Sequence, residues 1–517
     1  MSDWSAGYVS ELGYTYGYYE ELNTNRIDLC LLNNRLKPPT ISHALELGFG
    51  QGVSVNIHAA ASDVAWTGTD FNPSQANFAR QLAEQSGAKA TLHDASFQEF
   101  LANDQTPEFQ FIGLHGIWSW ISDANRQAIV DIIRTKLAVG GVVYASYNTL
   151  PGWAGFAPMR HLMTQHAKVL GSTGEGIVNR MDDAFEFSNR LFELNPQYLL
   201  ANPQAAERMK QLKEQNRHYL AHEFFNEDWH PMHFSSVAEL LEAAKLEFAA
   251  SATYSDHVDE IHFTAEQRQF LGEIPDATLR EITKDFILNQ QFRRDYWIKG
   301  PIRLAPLERS MGLRGVKVVL TIPASDVTFK TTGGLGEISF SESVYRPIID
   351  FLSDQKIRAL GEIEDHFAIS DSTSGPKITL AQITQAIVLL LSTNQVALAQ
   401  DDAVTNAATT NSASLNEFLL DKANFSNDIA FLASPVTGGG VNANRFEMLF
   451  LRAVAEGATE PKSWAESAWR VLSSQGQRLV NNGVPLESDQ ENLEELTSKA
   501  TDFAAKRLLT FRTLGII

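Results

Sequence analysis

His43-Ala44-Leu45-Glu46-Leu47-Gly48-Phe49-Gly50-Gln51-Gly52 decides how the rest of the chain is read. A five-residue strand-like run ends in glycines at alternate positions, and a helical stretch, Val53–Ala61, follows at once. Glycines let the backbone turn tightly and approach a ligand without Cβ clashes, while a helix N-terminus supplies unpaired amides. The spacing is GxGxG, with Glu46 two residues before the first glycine. A dinucleotide fingerprint places its third glycine one position later. An acid before the first glycine suits a pyrophosphate poorly but tolerates a ligand carrying positive charge.

Working outward, residues 41–150 alternate short apolar runs with amphipathic stretches, the pattern of a parallel sheet with crossover helices. Further strands are expected at Val64–Gly68, Ala90–His93, Phe109–Leu114 and Gly141–Ser146, with helices at Pro73–Ser86 and Asn125–Leu137. Asn72 can cap the first of these, and Pro73 at its first position has no amide hydrogen to leave unpaired. Asp70 then ends the second strand, where a carboxylate can accept both hydroxyls of a ribose, and Phe71 beside it offers an apolar face to a base. Asp94, with Ala95 and Ser96, ends the third strand, placed for an adenine edge. Acid, glycines, ribose acid and adenine acid at successive strand ends make an S-adenosylmethionine site. The expected cofactor residues are Glu46, Gly48, Gly50, Gly52, Asp70, Phe71, Asp94, Ala95 and His115.

Beyond Gly155 the strand signals stop until Phe234–Lys245, a crossover-like helix, and Phe248–Tyr254, a strand. The simplest account is a sheet that resumes after a helical insertion; a separate second domain is the alternative. Residues 316–341 hold β-rich runs around Gly333-Gly334-Leu335-Gly336, and helical segments follow near 343–354 and 379–391, an order compatible with a winged helix. Residues 401–414 have a loop-like composition. The expected organisation is a cofactor-binding core over 1–155, a helical insertion over 156–225, a segment completing the core over 226–300, a winged-helix-like module over 301–400 and a helical region over 401–517.

The chain has 517 residues, 44% apolar and 20% charged, enough for several cores. Its net charge of −20 denies it the broad basic field on which non-specific nucleic-acid binding depends. Even the winged-helix-like stretch carries 9 basic against 10 acidic residues, which favours a protein contact over DNA. Cys30 is the only cysteine, so an intrachain disulfide and a multi-cysteine metal site are excluded. No apolar run approaches the ~18 residues of a membrane span, and a cytoplasmic location without membrane contact is expected.

The segments YTYGYY (14–19), ELGFGQG, WTGTDFNPSQANFARQLAEQSGA, FIGLHGIWSWISDANRQAIVDIIRTKL and YASYNTLPGWA together resemble the class I methyltransferases that carry a methyltransferase regulatory domain. That group includes the rickettsial-type protein-lysine methyltransferases. The resemblance covers residues 10–165 closely and continues from HEFFNEDWHPMHF to RRDYWIKG. It implies a Rossmann-like sheet, S-adenosylmethionine as cofactor, lysine of a protein as acceptor and a homodimer. Small-molecule or RNA methylation, and a non-catalytic scaffold, are the rival readings.

Acceptor-side candidates lie on the same sheet edge. The fourth strand ends in His115-Gly116-Ile117-Trp118, with no Asn/Asp-Pro-Pro-aromatic grip for a planar amino group. His115 and Trp118 either line the cofactor and acceptor channel or pack. Tyr147 and Asn148 end the fifth strand, where an amide carbonyl and a ring can orient an amine. Tyr147, Asn148 and Trp118 are therefore the expected catalytic residues. Tyr14, Tyr16, Tyr18 and Tyr19 form an aromatic cluster that either lids the cofactor or staples a helix. Tyr16, Tyr19, Glu223, Asp228 and Trp229 are the expected substrate contacts. His218, His222, His230 and His233 show no HExxH pattern, and transfer from a sulfonium needs no metal, so none is expected.

Overall fold

The computed structural model describes residues 15–172, 174–369, 377–481 and 483–517. Its centre is a seven-stranded sheet, β1 (His43–Leu47), β2 (Ala65–Asp70), β3 (Ala90–Asp94), β4 (Phe109–Leu114), β5 (Leu137–Asn148), β6 (Leu246–Ser251) and β7 (Phe292–Lys299). The order is β3-β2-β1-β4-β5-β7-β6. The first five strands run parallel, and β7 is antiparallel to both β5 and β6. The order reverses beside β1, so the C-terminal ends of β1, β2 and β4 border the crevice where open α/β sheets bind ligands.

Both sheet faces are buried, and alternate residues divide between them. Leu45, Leu47, Ile112, Leu114, Val143 and Tyr147 join a core with α5 (Asp123–Lys136) and α11 (Phe234–Glu242). Ala44, Phe111, Val142, Tyr144 and Tyr296 face α1 (Thr24–Asn33) and α2 (Val53–Ala61). Helix α3 (Pro73–Ser86) begins as its sequence demands: the Asn72 side chain accepts from the amides of Ser74 and Gln75, and Gly87 closes the helix in the left-handed region. A short α4 (Phe97–Leu101) carries a Ser96–Glu99 capping box.

Between β5 and α11 the chain forms five helices, α6 (Ala157–Val169), α7 (Gly176–Glu193), α8 (Gln197–Ala201), α9 (Gln204–Lys213) and α10 (Arg217–Phe224). They enclose a separate core of Trp153, Met159, Met163, Met181, Phe185 and Phe224. Helices α12 (Ala265–Glu273) and α13 (Ala277–Leu288) connect β6 to β7, so the sheet resumes after the insertion.

After α14 (Pro306–Gly315) comes a small antiparallel sheet ordered β11 (Arg358–Ala359), β8 (Lys317–Leu320), β12 (Val396–Ala399). The hairpin of β9 (Lys330–Gly333) and β10 (Gly336–Ser339) pairs only with itself among the described residues. Around them pack α15 (Glu342–Leu352), α16 (Leu360–Ile369) and the apolar α17 (Leu380–Ser392).

Residues 402–414, expected as a loop, belong instead to α18 (Asp402–Ala423). Their Ala, Ser and Thr content reflects close packing rather than looping: Ala408 and Ser412 are buried, and the Ser412 hydroxyl donates to the Ala60 carbonyl of α2. The remainder, from β13 (Phe431–Ser434) and β14 (Gly439–Asn442) onward, is mainly helical. No helix among the described residues is long and apolar enough to cross a membrane.

Candidate active site

The turn from β1 into α2 is built on three left-handed glycines, Gly48 (φ +72°), Gly50 (φ +56°) and Gly52 (φ +71°). Such angles are strained for residues with a Cβ. Two are sterically closed as well: a Cβ on Gly48 would lie 2.4 Å from Ile117 Cδ1, and one on Gly52 would lie 2.3 Å from Ala79 Cβ.

The Gly50 amide donates to Asp70 Oδ2 and the Asn72 amide to Oδ1, both at 2.9 Å. The carboxylate is thereby fixed at the end of β2, and each oxygen keeps a further lone pair for a hydroxyl. Burial pushes the Asp70 acid up to about 6 against the pull of these two amides, with the charge of Asp94 adding to the rise.

Above this turn lies a cavity of about 190 Å³, walled by Gly48, Gly50, Asp70, Phe71, Ala95 and Ile117 among others. Phe97 and Ile121 extend the apolar side. These residues fit S-adenosylmethionine: a glycine floor admits close approach, a fixed carboxylate has lone pairs free for ribose hydroxyls, and apolar faces suit a base. Glu46 is buried beneath the turn and off the cavity wall, with Oε2 lacking a hydrogen-bond partner among the described residues. Burial, aided by Asp70, holds its acid well above the ordinary carboxyl range. Asp94 is exposed, immediately before the lining residue Ala95.

His115 sits at the inner end. Its ring stacks on Tyr19 at a centroid distance of 3.6 Å, and its Nδ1 lies 2.9 Å from the Tyr144 hydroxyl. Burial lowers its pKa to about 4, opposed by Glu21 and reinforced by Arg294, so the ring is neutral at physiological pH. Tyr19 is fixed by its amide, which donates to Ser54 Oγ, and by its carbonyl, 3.1 Å from His58 Nε2.

A second cavity of about 430 Å³ shares Thr15, Gly17, Tyr19, His115, Gly116 and Trp120 with the first. It adds Asn148, Trp153, Tyr219, Glu223 and Arg294. Trp153, Tyr219, Glu223 and Gln291 in turn open onto a groove of about 700 Å³ under α8, α9 and α10. Asn148 is 2% exposed; its backbone is held by Ser119 Oγ and the Met232 amide, while its Nδ2 has no partner among the described residues.

Two of the three residues expected to act on the acceptor lie in the core instead. In Ile117-Trp118-Ser119-Trp120 the side chains diverge: Ile117 and Trp120 line the cavities, whereas Trp118 is fully buried with the α5 side chains. Tyr147 occupies the opposite face of β5 from the acceptor cavity and donates its hydroxyl to Asp295 Oδ2 at 2.6 Å. Tyr16 is off the wall of both cavities, its ring edge-on to Phe78 at 5.3 Å, and Tyr14 lies outside the described residues. Asp228 lines the first cavity and faces His230 at 3.2 Å. Trp229 is buried against Trp153, at 5.1 Å, and supports the wall rather than forming it.

Arg294 and Glu21 escaped the sequence reading. Arg294 reaches the cavity because β7 runs antiparallel beside β5, opposing Ser146, and its Nε lies 3.1 Å from Glu21 Oε1. No spacing rule relates Ser146 to Arg294, 148 residues apart; Trp120 and Trp153 were present only as aromatics in family-like segments, and Tyr219 lies just before one.

Comparison with known proteins places this geometry. Residues 44–141 match the family model for a methyltransferase domain, and residues 216–299 match the model described as "Predicted methyltransferase regulatory domain". The uncharacterized protein sll1526 of Synechocystis is 39% identical over 99% of both chains. A second relative, RP789 of Rickettsia prowazekii, is 24% identical over 49% of this chain and 45% of its own. Among solved structures, PKMT2 from Rickettsia typhi in complex with AdoHcy shares the fold at a TM-score of 0.70, with 16% identity, over 97% of this chain and 99% of that one. The chain belongs to the class I S-adenosylmethionine-dependent methyltransferases that carry a methyltransferase regulatory domain.

Proposed function

We propose that this methyltransferase modifies the side-chain amine of lysine in a protein partner. The observation that carries the reading is the second cavity: aromatic side chains and the buried Asn148 join the cofactor cleft at one end to a broad groove at the other. A lysine stem threads such a channel while its polypeptide lies outside, whereas a metabolite site needs no groove. The name PKMT2 of the structural neighbour and the acidity of the chain, −20 overall, point the same way.

S-adenosylmethionine, held by the residues of the glycine turn and Asp70, would supply an electrophilic methyl group on positively charged sulfur, with the neutral thioether as the leaving group. The chain's own part is positioning, which carries most of the acceleration in a transfer without a covalent enzyme intermediate. Gly48, Gly50 and Gly52 let the backbone close on the cofactor, Asp70 accepts the ribose hydroxyls, and Phe71 and Ala95 receive the base, with Asp94 at its edge. Glu46 supports the turn from beneath. His115, neutral and stacked on Tyr19, closes the inner end without adding positive charge beside a sulfonium. Asn148 presents its amide to the amine, and the rings of Tyr19, Trp120, Trp153 and Tyr219 attract an arriving ammonium and then exclude water around it.

Incubation with methyl-labelled S-adenosylmethionine and protein, RNA and metabolite fractions tests the reading. Hydrolysis of the protein fraction is expected to release labelled methyllysine. Label confined to RNA or to small molecules overturns it.

A further inference from the structure

An alkylammonium entering the second cavity cannot attack until it loses a proton, since a lysine has a pKa of about 10.4 in water. Burial among rings lowers that value, but the proton still needs an acceptor and a way out. One carboxylate occupies both compartments: Glu223 of α10 lines the inner cavity with Asn148, His115 and Tyr19, and also the 700 Å³ groove with Arg208 and Gln211. Its backbone is anchored, because Trp120 Nε1 donates to the Glu223 carbonyl at 3.3 Å. Its carboxylate makes no hydrogen bond or ion pair among the described residues, unlike that of Glu21, which pairs with Arg294.

Resting on the lysine reading above, we infer that Glu223 is the proton acceptor of the transfer, taking a proton from the bound ammonium and passing it to water in the outer groove. The nitrogen–hydrogen bond breaks, the pair stays on nitrogen for attack, and the proton joins a Glu223 oxygen. After the methylated amine leaves, that proton departs through the groove and the carboxylate is restored.

The surroundings set the acceptor's strength. Arg208 of α9 faces Glu223, its guanidinium 3.7 Å over the Trp153 ring and donating to Gln291 Oε1. Tyr219 and His222 share its helix, Arg294 comes from β7, His115 from the end of β4, and Tyr19 from the N-terminal segment. Burial pushes the Glu223 acid up to about 7, with Arg208 pulling it down. Below that pH the acceptor is already occupied; above it the carboxylate is free.

The test is the pH dependence of kcat/KM with a decapeptide bearing one lysine, for the full chain and for Glu223→Gln, Glu223→Asp and Arg208→Gln. The intact chain is expected to show an inflection near pH 7. Glu223→Gln should lose the inflection and about 100-fold or more of the rate, as removal of an acid–base group does, and Glu223→Asp should restore part of both. Arg208→Gln should keep the inflection and move it to higher pH. Equal affinity for AdoHcy across the variants, by calorimetry, checks that each is folded. A difference infrared titration of the intact chain against Glu223→Gln, without acceptor, should show one carboxyl titrating near pH 7. Retention of the inflection in Glu223→Gln, or a loss below threefold, overturns the inference alone. An intact chain that leaves the peptide unmethylated removes the lysine reading and the inference with it.

Discussion

Asp70 is the residue on which cofactor affinity is expected to turn. Its two oxygens hold the Gly50 and Asn72 amides, so it shapes the glycine turn, and in the proposed site it also receives the ribose. Losing charge-assisted hydrogen bonds worth about 1.5–3 kcal/mol each should cost Asp70→Ala at least tenfold in AdoHcy affinity by calorimetry; undiminished affinity would remove it from the site. The same carboxylate predicts a pH effect. Its acid lies near 6, so it is charged at neutral pH and gains a proton as pH falls through 6. AdoHcy affinity should therefore weaken between pH 7 and 5, and this dependence should vanish in Asp70→Ala. Linkage gives the opposite sign for the unliganded fold: an acid raised by burial favours the folded state while protonated, and that contribution is lost as pH rises from about 4 through 6. At the acceptor end, Asn148→Ala should lower the methylation rate without changing AdoHcy affinity, and an unchanged rate would exclude it from that role.

The elements that carry the turn are constrained by contacts distant in sequence. Helix α2 is buried at all nine positions, one side on the sheet and the other under α18, through Ala408 and Ser412. Enlarging Ala408 to Leu overpacks that seam, which typically costs about 1–3 kcal/mol, and displaces the helix whose first turn follows Gly52. A lower melting temperature together with weaker AdoHcy binding is the expected result; a melting change with no binding change would separate the seam from the site. The parts of this arrangement set by local chemistry were legible in the sequence. The spans His43–Leu47, Val53–Ala61, Pro73–Ser86 and Phe109–Leu114 have the expected bounds, because each has its own period and stop signal. Helix α18 was not legible, since small residues selected for close approach to Ala60 have the composition of a loop. Nor was the division of side chains at the sheet edge: Trp118 and Tyr147 were chosen by nearness in sequence, yet the turn closed by the Trp120 amide on the Ile117 carbonyl puts Ile117 and Trp120 on the cavity walls and buries Trp118, while alternation along β5 puts Asn148 there and buries Tyr147.

At the scale of the whole molecule, the region from residue 400 onward is fastened to the cofactor-binding part. Gln400 Nε2 donates to the Ala61 carbonyl at 2.7 Å, and Ser412 Oγ to that of Ala60 at 3.1 Å. Asn23 and Asn25, which begin α1, donate their side-chain amides to the Thr437 carbonyl at 2.9 and 3.1 Å. Val53, Ile57, Ala60 and Ala61 of α2 belong to one core with Leu415, Leu419, Phe450 and Trp464. Removing the C-terminal region would thus strip cover from the helix that starts at the glycine turn, exposing a contiguous apolar face of the kind that drives association. A fragment of residues 1–400 should elute as aggregate in size-exclusion chromatography and show no AdoHcy binding by calorimetry, while the full chain binds. A monodisperse fragment with the affinity of the full chain would mean that the C-terminal region serves some other end than holding the cofactor turn in place. The predicted dependence follows from where the core lies: one hydrophobic cluster spans both parts, so the site at its edge is only as ordered as their union.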